Sequence, residues 1–282
     1  MLDPSTLSPR LAERFRLLEL AGSGGSAEVW RAIDQERGGA VALKVERRDR
    51  GAPREQRAAA RQALAREAMY AALALSPRLP ELVDVGWLAA RAGVARIEGA
   101  PGEDGRAFVA MRWMEGQAVA EAARGLLADE RAAFALAIAR DAGEALGDLH
   151  GIGLAHGDLK PENLILTPEG RIGMIDLGLA CSLHQTSVEG ATLRYIARGD
   201  AELGDARARD LLALGTLLAE VAFPGVAAAP DPIGAARAAV ATESAAGAPL
   251  DAICRALLSP SPAARPSAAW VTESARAALA GA

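Results

Sequence analysis

The stretch His156-Gly157-Asp158-Leu159-Lys160-Pro161-Glu162-Asn163, followed by Ile175-Asp176-Leu177-Gly178, decides how the chain is read. Asp158 precedes Asn163 by five positions and Asp176 by eighteen. Leu164 to Leu166 and Arg171 to Ile175 read as short strands. Thr167-Pro168-Glu169-Gly170 joins them, with proline and glycine where a type I turn favours them. A hairpin of this kind brings Asn163 and Asp176 to one end. Both supply hard oxygen donors of the sort that hold Mg²⁺ against phosphates. Asp158, at the mouth of the same loop, can accept a hydroxyl proton, and Lys160 can neutralise a phosphoryl group in transfer. Any one of these residues alone reads as a surface polar group. The set at this spacing does not.

Upstream, Gly22-Ser23-Gly24-Gly25-Ser26-Ala27-Glu28-Val29 lies between two expected strands, Phe15 to Ala21 and Ala27 to Ile33. Glycines let backbone N–H groups approach phosphate oxygens without a Cβ in the way. The segment lacks a Lys-Ser/Thr ending and opens no helix, so it is not a P-loop. By itself it reads as a hairpin turn. Ala40 to Glu46 reads as a third strand. Its period of two puts Ala42 and Lys44 on one face, a small residue to lie under a base and an ammonium to meet phosphates. Alone, Lys44 would read as an exposed strand lysine. Glu67 on the following helix is its candidate partner, although a helical glutamate is by default solvated.

The remaining pattern divides in two. Arg47 to Leu75 is alanine-rich, with Leu64, Ala68, Ala71 and Leu75 at helical spacing. Its arginines read as a solvated face, with a partner-docking patch over 47–66 as the second reading. Leu82 to Leu88 and Ala107 to Trp113 are expected strands flanking a turn-rich loop at Gly99 to Gly105. From Glu115-Gly116 onward the pattern turns helical. Phe134, Ile138, Ala142, Ala145 and Leu149 share one helix face, and Asp210 to Val221 is apolar nearly all round, as a buried central helix would be. Breaks follow at Pro224, Pro230-Asp231-Pro232 and Ser259 to Pro262. A sheet-rich lobe therefore precedes a larger helical lobe.

Composition narrows the class. The chain has 282 residues, 51% hydrophobic and 24% charged, with a formal net charge of −5. At ~150 residues per domain that length suits two lobes around real cores. It is too apolar for disorder and has no period-three glycine. No apolar run approaches the ~18 residues of a membrane span. The opening residues lack the basic flank and apolar core of a secretory signal. Cys181 and Cys254 have no metal-ligand spacing and form no disulfide framework, which points to a reducing, cytoplasmic setting. The mild negative charge argues against a nucleic-acid partner.

Taken together these motifs resemble the eukaryotic-type (Hanks-type) serine/threonine protein kinases, over roughly residues 11 to 280. The handling of phosphoryl transfer in that family supplies the roles that follow. The resemblance implies an α+β fold with a small antiparallel-sheet N-lobe bearing one main helix, and a larger, mainly helical C-lobe. It divides the chain into an extension at 1–14, an N-lobe at 15–111, a hinge at 112–116 and a C-lobe at 117–282. It implies ATP and Mg²⁺ as cofactors and proteins as substrates. Asp158, Lys160, Lys44 and Glu67 then carry catalysis, and Asn163 and Asp176 hold the metal. Nucleotide contacts fall to Ala21, Gly22, Ser23, Gly24, Gly25, Ser26, Ala27, Val29, Ala42 and Lys44. Met111 stands at the gatekeeper position, Arg112 and Met114 in the hinge, and Ile165 is a further nucleotide contact. Gly190 to Ala197 resembles the segment that reads substrate, Asp210 and Gly215 match the DxxxxG pattern of the central helix, and Arg265 matches the arginine near the end of the fold.

Four departures accompany the match. Ala27 replaces the third loop glycine, and Leu177 replaces the phenylalanine of DFG. Gly157 replaces the arginine of HRD, which implies activity independent of activation-loop phosphorylation. Ala197-Arg198-Gly199 stands where Ala-Pro-Glu is expected, so Arg265 should find another carboxylate, Asp200 ahead of Glu202. His150 reads as structural, Cys181 as inert, Thr186 and Ser187 as candidate phosphosites, and Thr192 as a structural threonine. Two alternatives stand beside the protein kinase: a small-molecule phosphotransferase on the same fold, which shares the HGD sequence, and a nucleotide-binding pseudokinase. The DLKPEN run weighs against the first, and the intact Lys44, Asp158, Asn163 and Asp176 weigh against the second.

Overall fold

The structure is a computed structural model and describes residues 14–24, 27–47, 53–88, 106–185, 193–195, 205–242 and 248–281. Gly25, Ser26, the loop at 99–105, Thr186, Ser187, Thr192, Gly199, Asp200 and Glu202 lie outside the described residues. The chain forms two compact units, 1–73 with 80–114, and 74–79 with 115–282.

The first unit is built on a five-stranded antiparallel sheet. Its strands are β1 (Phe15–Ser23), β2 (Ala27–Asp34), β3 (Ala40–Glu46), β4 (Leu82–Leu88) and β5 (Arg106–Arg112), in the order β1-β2-β3-β5-β4. Strand β1 runs two residues beyond the expected end at Ala21, because Gly22 and Ser23 still pair with Val29 and Glu28. The alternation that sequence periodicity demands is visible in burial. Trp30, Ala32, Val41, Leu43, Val45, Phe108 and Ala110 form one core with Phe15. The rings of Phe15 and Phe108 meet edge-on at 6.0 Å. The opposite parity carries Val29, Lys44 and Val109 on one rung, and Ala42 beside Met111 on another.

Helix α1 (Arg54–Leu73) lies against β4 and β5. It buries Ala60, Leu64, Glu67, Ala68 and Ala71, a stripe at helical spacing. The expected helix from Arg47 to Leu75 is trimmed at both ends. Arg47 is outside it, and Leu75 is 90% exposed beyond its last turn rather than part of the stripe. Arg61 of this helix donates to both oxygens of buried Glu46 at 3.0 and 3.1 Å and stacks over Trp87. That arginine is therefore engaged inside its own unit.

The second unit begins with β6 (Gln117–Ala118), a short helix α2 (Val119–Ala122) and a 3₁₀ turn (Ala123–Gly125), then the long helix α3 (Ala128–Gly151). The Glu130 carboxylate accepts from the Leu127 amide at 2.8 Å and closes the N-terminus of α3. Strands β7 (Leu154–Ala155), β8 (Leu164–Leu166), β9 (Ile172–Met174) and β10 (Cys181–Ser182) follow. The rest is helical: α4 (Ala206–Ala222), α5 (Pro224–Ala227), α6 (Pro232–Thr242), α7 (Ala248–Leu257) and α8 (Ala268–Ala280). The expected strands Ala107 to Trp113 and Arg171 to Ile175 are observed one residue earlier in register and two residues shorter, respectively.

Helix α4 is the centre of this unit, with every residue from Ala208 to Val221 buried. Gly215 lets α7 approach, since a Cβ there would stand 2.7 Å from the Leu257 Cβ. The β8–β9 hairpin is fixed to α3 by one carboxylate. Asp141, fully buried, takes Arg171 at 2.9 and 3.0 Å, Arg140 at 2.7 and 2.9 Å and the Ile172 amide at 2.8 Å. A buried charge needs such a set of partners, and here the set anchors the strand that leads to Asp176.

Candidate active site

In the second unit the hairpin does what the spacing predicts. Leu164 pairs with Met174, the Gly170 amide donates to the Thr167 carbonyl at 2.9 Å across the turn, and the Ile175 amide donates to the Asn163 carbonyl at 2.9 Å. Asn163 and Asp176 therefore stand at the same end. Asp158 is nearly buried, at 9% exposure. Its Oδ2 pairs with the Lys160 ammonium at 2.5 Å, and Asn163 Nδ2 donates to its backbone carbonyl at 2.9 Å. The amide oxygen of Asn163 is the atom left for a cation. His156 is fully buried and ties the loop to the hairpin. Its Nδ1 accepts from the Asp158 amide at 3.3 Å, so the proton sits on Nε2, 3.2 Å from the Ile175 carbonyl.

Asp176 is the one non-glycine among the described residues with positive φ, at +69°. Such a backbone costs on the order of 1–3 kcal/mol and persists where surroundings impose it. The Gly178 amide caps its Oδ1 at 3.1 Å, and Leu177, 2% exposed, packs beneath as an apolar anchor. Asn163 and Asp176 suit Mg²⁺ in number and kind, since that ion keeps most of its shell for water and phosphate.

The loop that bears Asp158 hangs from the central helix. Asp210 Oδ2 accepts the His156 amide at 2.8 Å and faces His150 Nε2 at 3.0 Å, while Oδ1 accepts the Gly157 amide at 3.0 Å. Burial by itself would raise this carboxyl; the His150 hydrogen bond, the nearby histidines and the Gly157 amide outweigh it and hold it below the usual carboxylate range. His150 thus supports Asp210, a contact that no sequence spacing signals.

Lys44 and Glu67 are brought together within the first unit. The Lys44 ammonium lies 2.8 and 3.0 Å from the two carboxylate oxygens of Glu67, which is 1% exposed. The default of a solvated glutamate is overturned because Glu67 sits on the buried stripe of α1. In the expected hinge, the Arg112 and Trp113 amides are taken by the carbonyls of Glu81 and Ala40. Met114 is the second residue past β5. Ala21, Ser23 and Gly24 are exposed at the end of β1, Ala27 is buried, and Ala42 and Ile165 are half-buried.

Arg265 is buried and donates to the carbonyls of Ser259 at 3.1 Å and Ala208 at 2.8 Å, which ties the chain after α7 to the central helix. Glu220 is held by Arg194 and Tyr195. The sequence gives no sign of that cluster. Burial pushes the Cys181 thiol up, in line with an inert residue, and pushes Cys254 up to about 12. Among the described residues no helix is long and apolar enough to cross a membrane.

The first unit thus carries a glutamate-paired strand lysine, and the second carries a loop aspartate and a hairpin-borne aspartate. The family model for the protein kinase domain matches residues 15–274, and the chain belongs to that family, with its α+β fold. It is 30% identical over 226 residues to the serine/threonine-protein kinase PknA of Mycobacterium tuberculosis, covering 75% of this chain and 48% of that one. Against the DNA damage-responsive serine/threonine-protein kinase RqkA of Deinococcus radiodurans it is 35% identical over 234 residues, 78% of this chain and 31% of the relative. A probable serine/threonine-protein kinase of Streptomyces coelicolor, SCO3848, shows 30% identity over 224 residues, 75% and 30% of the two chains. The chain thus spans less than half the length of these curated relatives.

Proposed function

We propose that the chain is an ATP- and Mg²⁺-dependent serine/threonine protein kinase that works without activation-loop phosphorylation. The observation that carries the reading is the Asp158 carboxylate held between Lys160 and Asn163, at the end of the hairpin that presents Asp176. Asp158 accepts the proton of a Ser or Thr hydroxyl as its oxygen bonds to the γ-phosphorus and the bond to ADP breaks. Lys160 stabilises the negative charge on the phosphoryl group in transfer. Asn163 and Asp176 would hold Mg²⁺, which supplies charge neutralisation of the phosphates. Lys44, oriented by Glu67, would bind nucleotide phosphates, and the backbone of the hinge at Met114 would meet the base.

The glycines support the nucleotide. Neither Gly22 nor Gly24 has positive φ, and among the described residues beyond its chain neighbours a Cβ at either would meet no atom closer than 3.8 Å. No described contact requires glycine at either position. Close approach of a phosphate to the backbone does. Gly157, which offers no guanidinium to a phosphorylated loop, supports the independence from phosphorylation.

The test is transfer from γ-labelled ATP with Mg²⁺ to a generic protein substrate, beside an aminoglycoside and a nucleoside. Label on phosphoserine or phosphothreonine supports the reading. Label on a small molecule alone, or on nothing, overturns it.

A further inference from the structure

A groove of about 670 Å³ in the second unit runs from Lys160 past the 3₁₀ turn at Ala123–Gly125 to the ends of α4 and α5. It begins at the residue that pairs with Asp158, so it lies where residues flanking an accepting hydroxyl would pass. Its described lining carries four cations, Arg124, Arg131, Lys160 and Arg194, and two carboxylates, Glu162 and Glu220.

The carboxylates do not balance the cations equally. Glu220 is 8% exposed and its two oxygens are already engaged. Oε1 takes Arg194 Nε and Nη2 at 3.2 and 2.9 Å, and Oε2 takes the Tyr195 hydroxyl at 2.8 Å. Arg194 also donates to the Ala227 carbonyl. Burial first, and the Glu220 charge next, push the Tyr195 phenol far above its usual value, so it remains a donor. Glu220 is thus complemented from within the chain, by an arginine held where a basic residue of a substrate would have to bind. Lys160 is paired with Asp158. What remains is Arg124 and Arg131 against Glu162. Arg131 donates to the neutral Val221 carbonyl at 3.0 Å and makes no ion pair among the described residues. Arg124 is exposed at the turn and makes no ion pair among the described residues.

We propose that this groove selects substrates with an anionic side chain, carboxylate or phosphoryl, beside the accepting Ser or Thr, and that Arg124 and Arg131 read it. Guanidinium forks match both anions in geometry. The proposal rests on the protein kinase reading above.

The experiment uses the full chain and peptides with one accepting Ser in a neutral background. Asp, phosphoserine or Arg is placed in turn at each neighbouring position, and kcat/KM is measured with the wild type and with Arg124→Glu and Arg131→Glu. The expected result is a gain of about tenfold or more for an anionic residue at one or more positions, mainly in KM, since one charge-assisted pair is worth about that much. In both variants the ratio of anionic to neutral peptide falls to one or below. A larger gain for phosphoserine identifies a substrate already phosphorylated nearby; a larger gain for Asp identifies an acidic one. Preference for Arg, or equal rates on all peptides, overturns the proposal and leaves the kinase reading in place. Absence of Asp158-dependent phosphorylation of every peptide and of the generic protein overturns both.

Discussion

The Asp210 carboxylate accepts the backbone amide of Gly157 at 3.0 Å, so a buried acid on the central helix sets the backbone of the loop that bears Asp158. The same carboxylate takes the His156 amide and faces His150. Loop geometry and carboxylate ionisation are therefore linked. Because Asp210 is held below its usual range, its contribution to stability is present above about pH 4, the range of an unfolded aspartate, and is lost as pH falls through the lower folded value. Asp210→Asn is expected to cost about 1–3 kcal/mol at pH 7, by the loss of charge-assisted bonds to buried amides. Urea unfolding from pH 7 down to pH 3 checks this: the gap between wild type and variant narrows as the acid end is approached.

Gly157 has φ +81°, and a Cβ there would stand 2.3 Å from the Leu179 carbonyl oxygen. Gly157→Ala is therefore expected to cost on the order of 1–3 kcal/mol in thermal or urea unfolding and to lower turnover, since the next residue is Asp158. With no guanidinium at this position, the double substitution Thr186→Ala/Ser187→Ala is expected to keep its turnover on a protein substrate. A large loss, restored by Glu at those positions, would show that another cation answers a phosphate.

Lys44 and Glu67 separate stability from activity. Lys44→Met removes the ammonium that faces a nearly buried carboxylate, which is expected to cost about 1–3 kcal/mol. Replacing both, Lys44→Met/Glu67→Leu, is expected to restore much of that stability, because an apolar pair avoids the desolvation of charge. Turnover stays about 10²–10⁴-fold down in both variants, as is usual when a charge-stabilising group is lost. Denaturant curves and steady-state kinetics on the same preparations check the split.

Much of this was legible from local pattern. Strand alternation placed Lys44 and Ala42 on the face away from Trp30 and Leu43, and the Thr167–Gly170 turn brought Asn163 and Asp176 together. These features depend on a few adjacent residues, whose periods and turn preferences are physical properties of the backbone. Leu75 fits the stripe of α1 by spacing but lies past the helix end, where spacing no longer assigns a face. The contacts of His150 with Asp210, and of Arg194 with Glu220, join residues 60 and 26 positions apart. Only tertiary packing sets such pairs, and a lone histidine or arginine in a sequence does not announce its partner.

The central claim is that Asp158 takes the hydroxyl proton in transfer from ATP to a protein Ser or Thr. Its most direct test is the single-turnover rate of Asp158→Ala on a protein substrate, measured beside nucleotide affinity in the same preparation. The account predicts a rate about 10²–10⁴-fold below wild type with ATP affinity retained, since Asp158 acts on the acceptor and not on the nucleotide. A variant that transfers phosphate at the wild-type rate would contradict it.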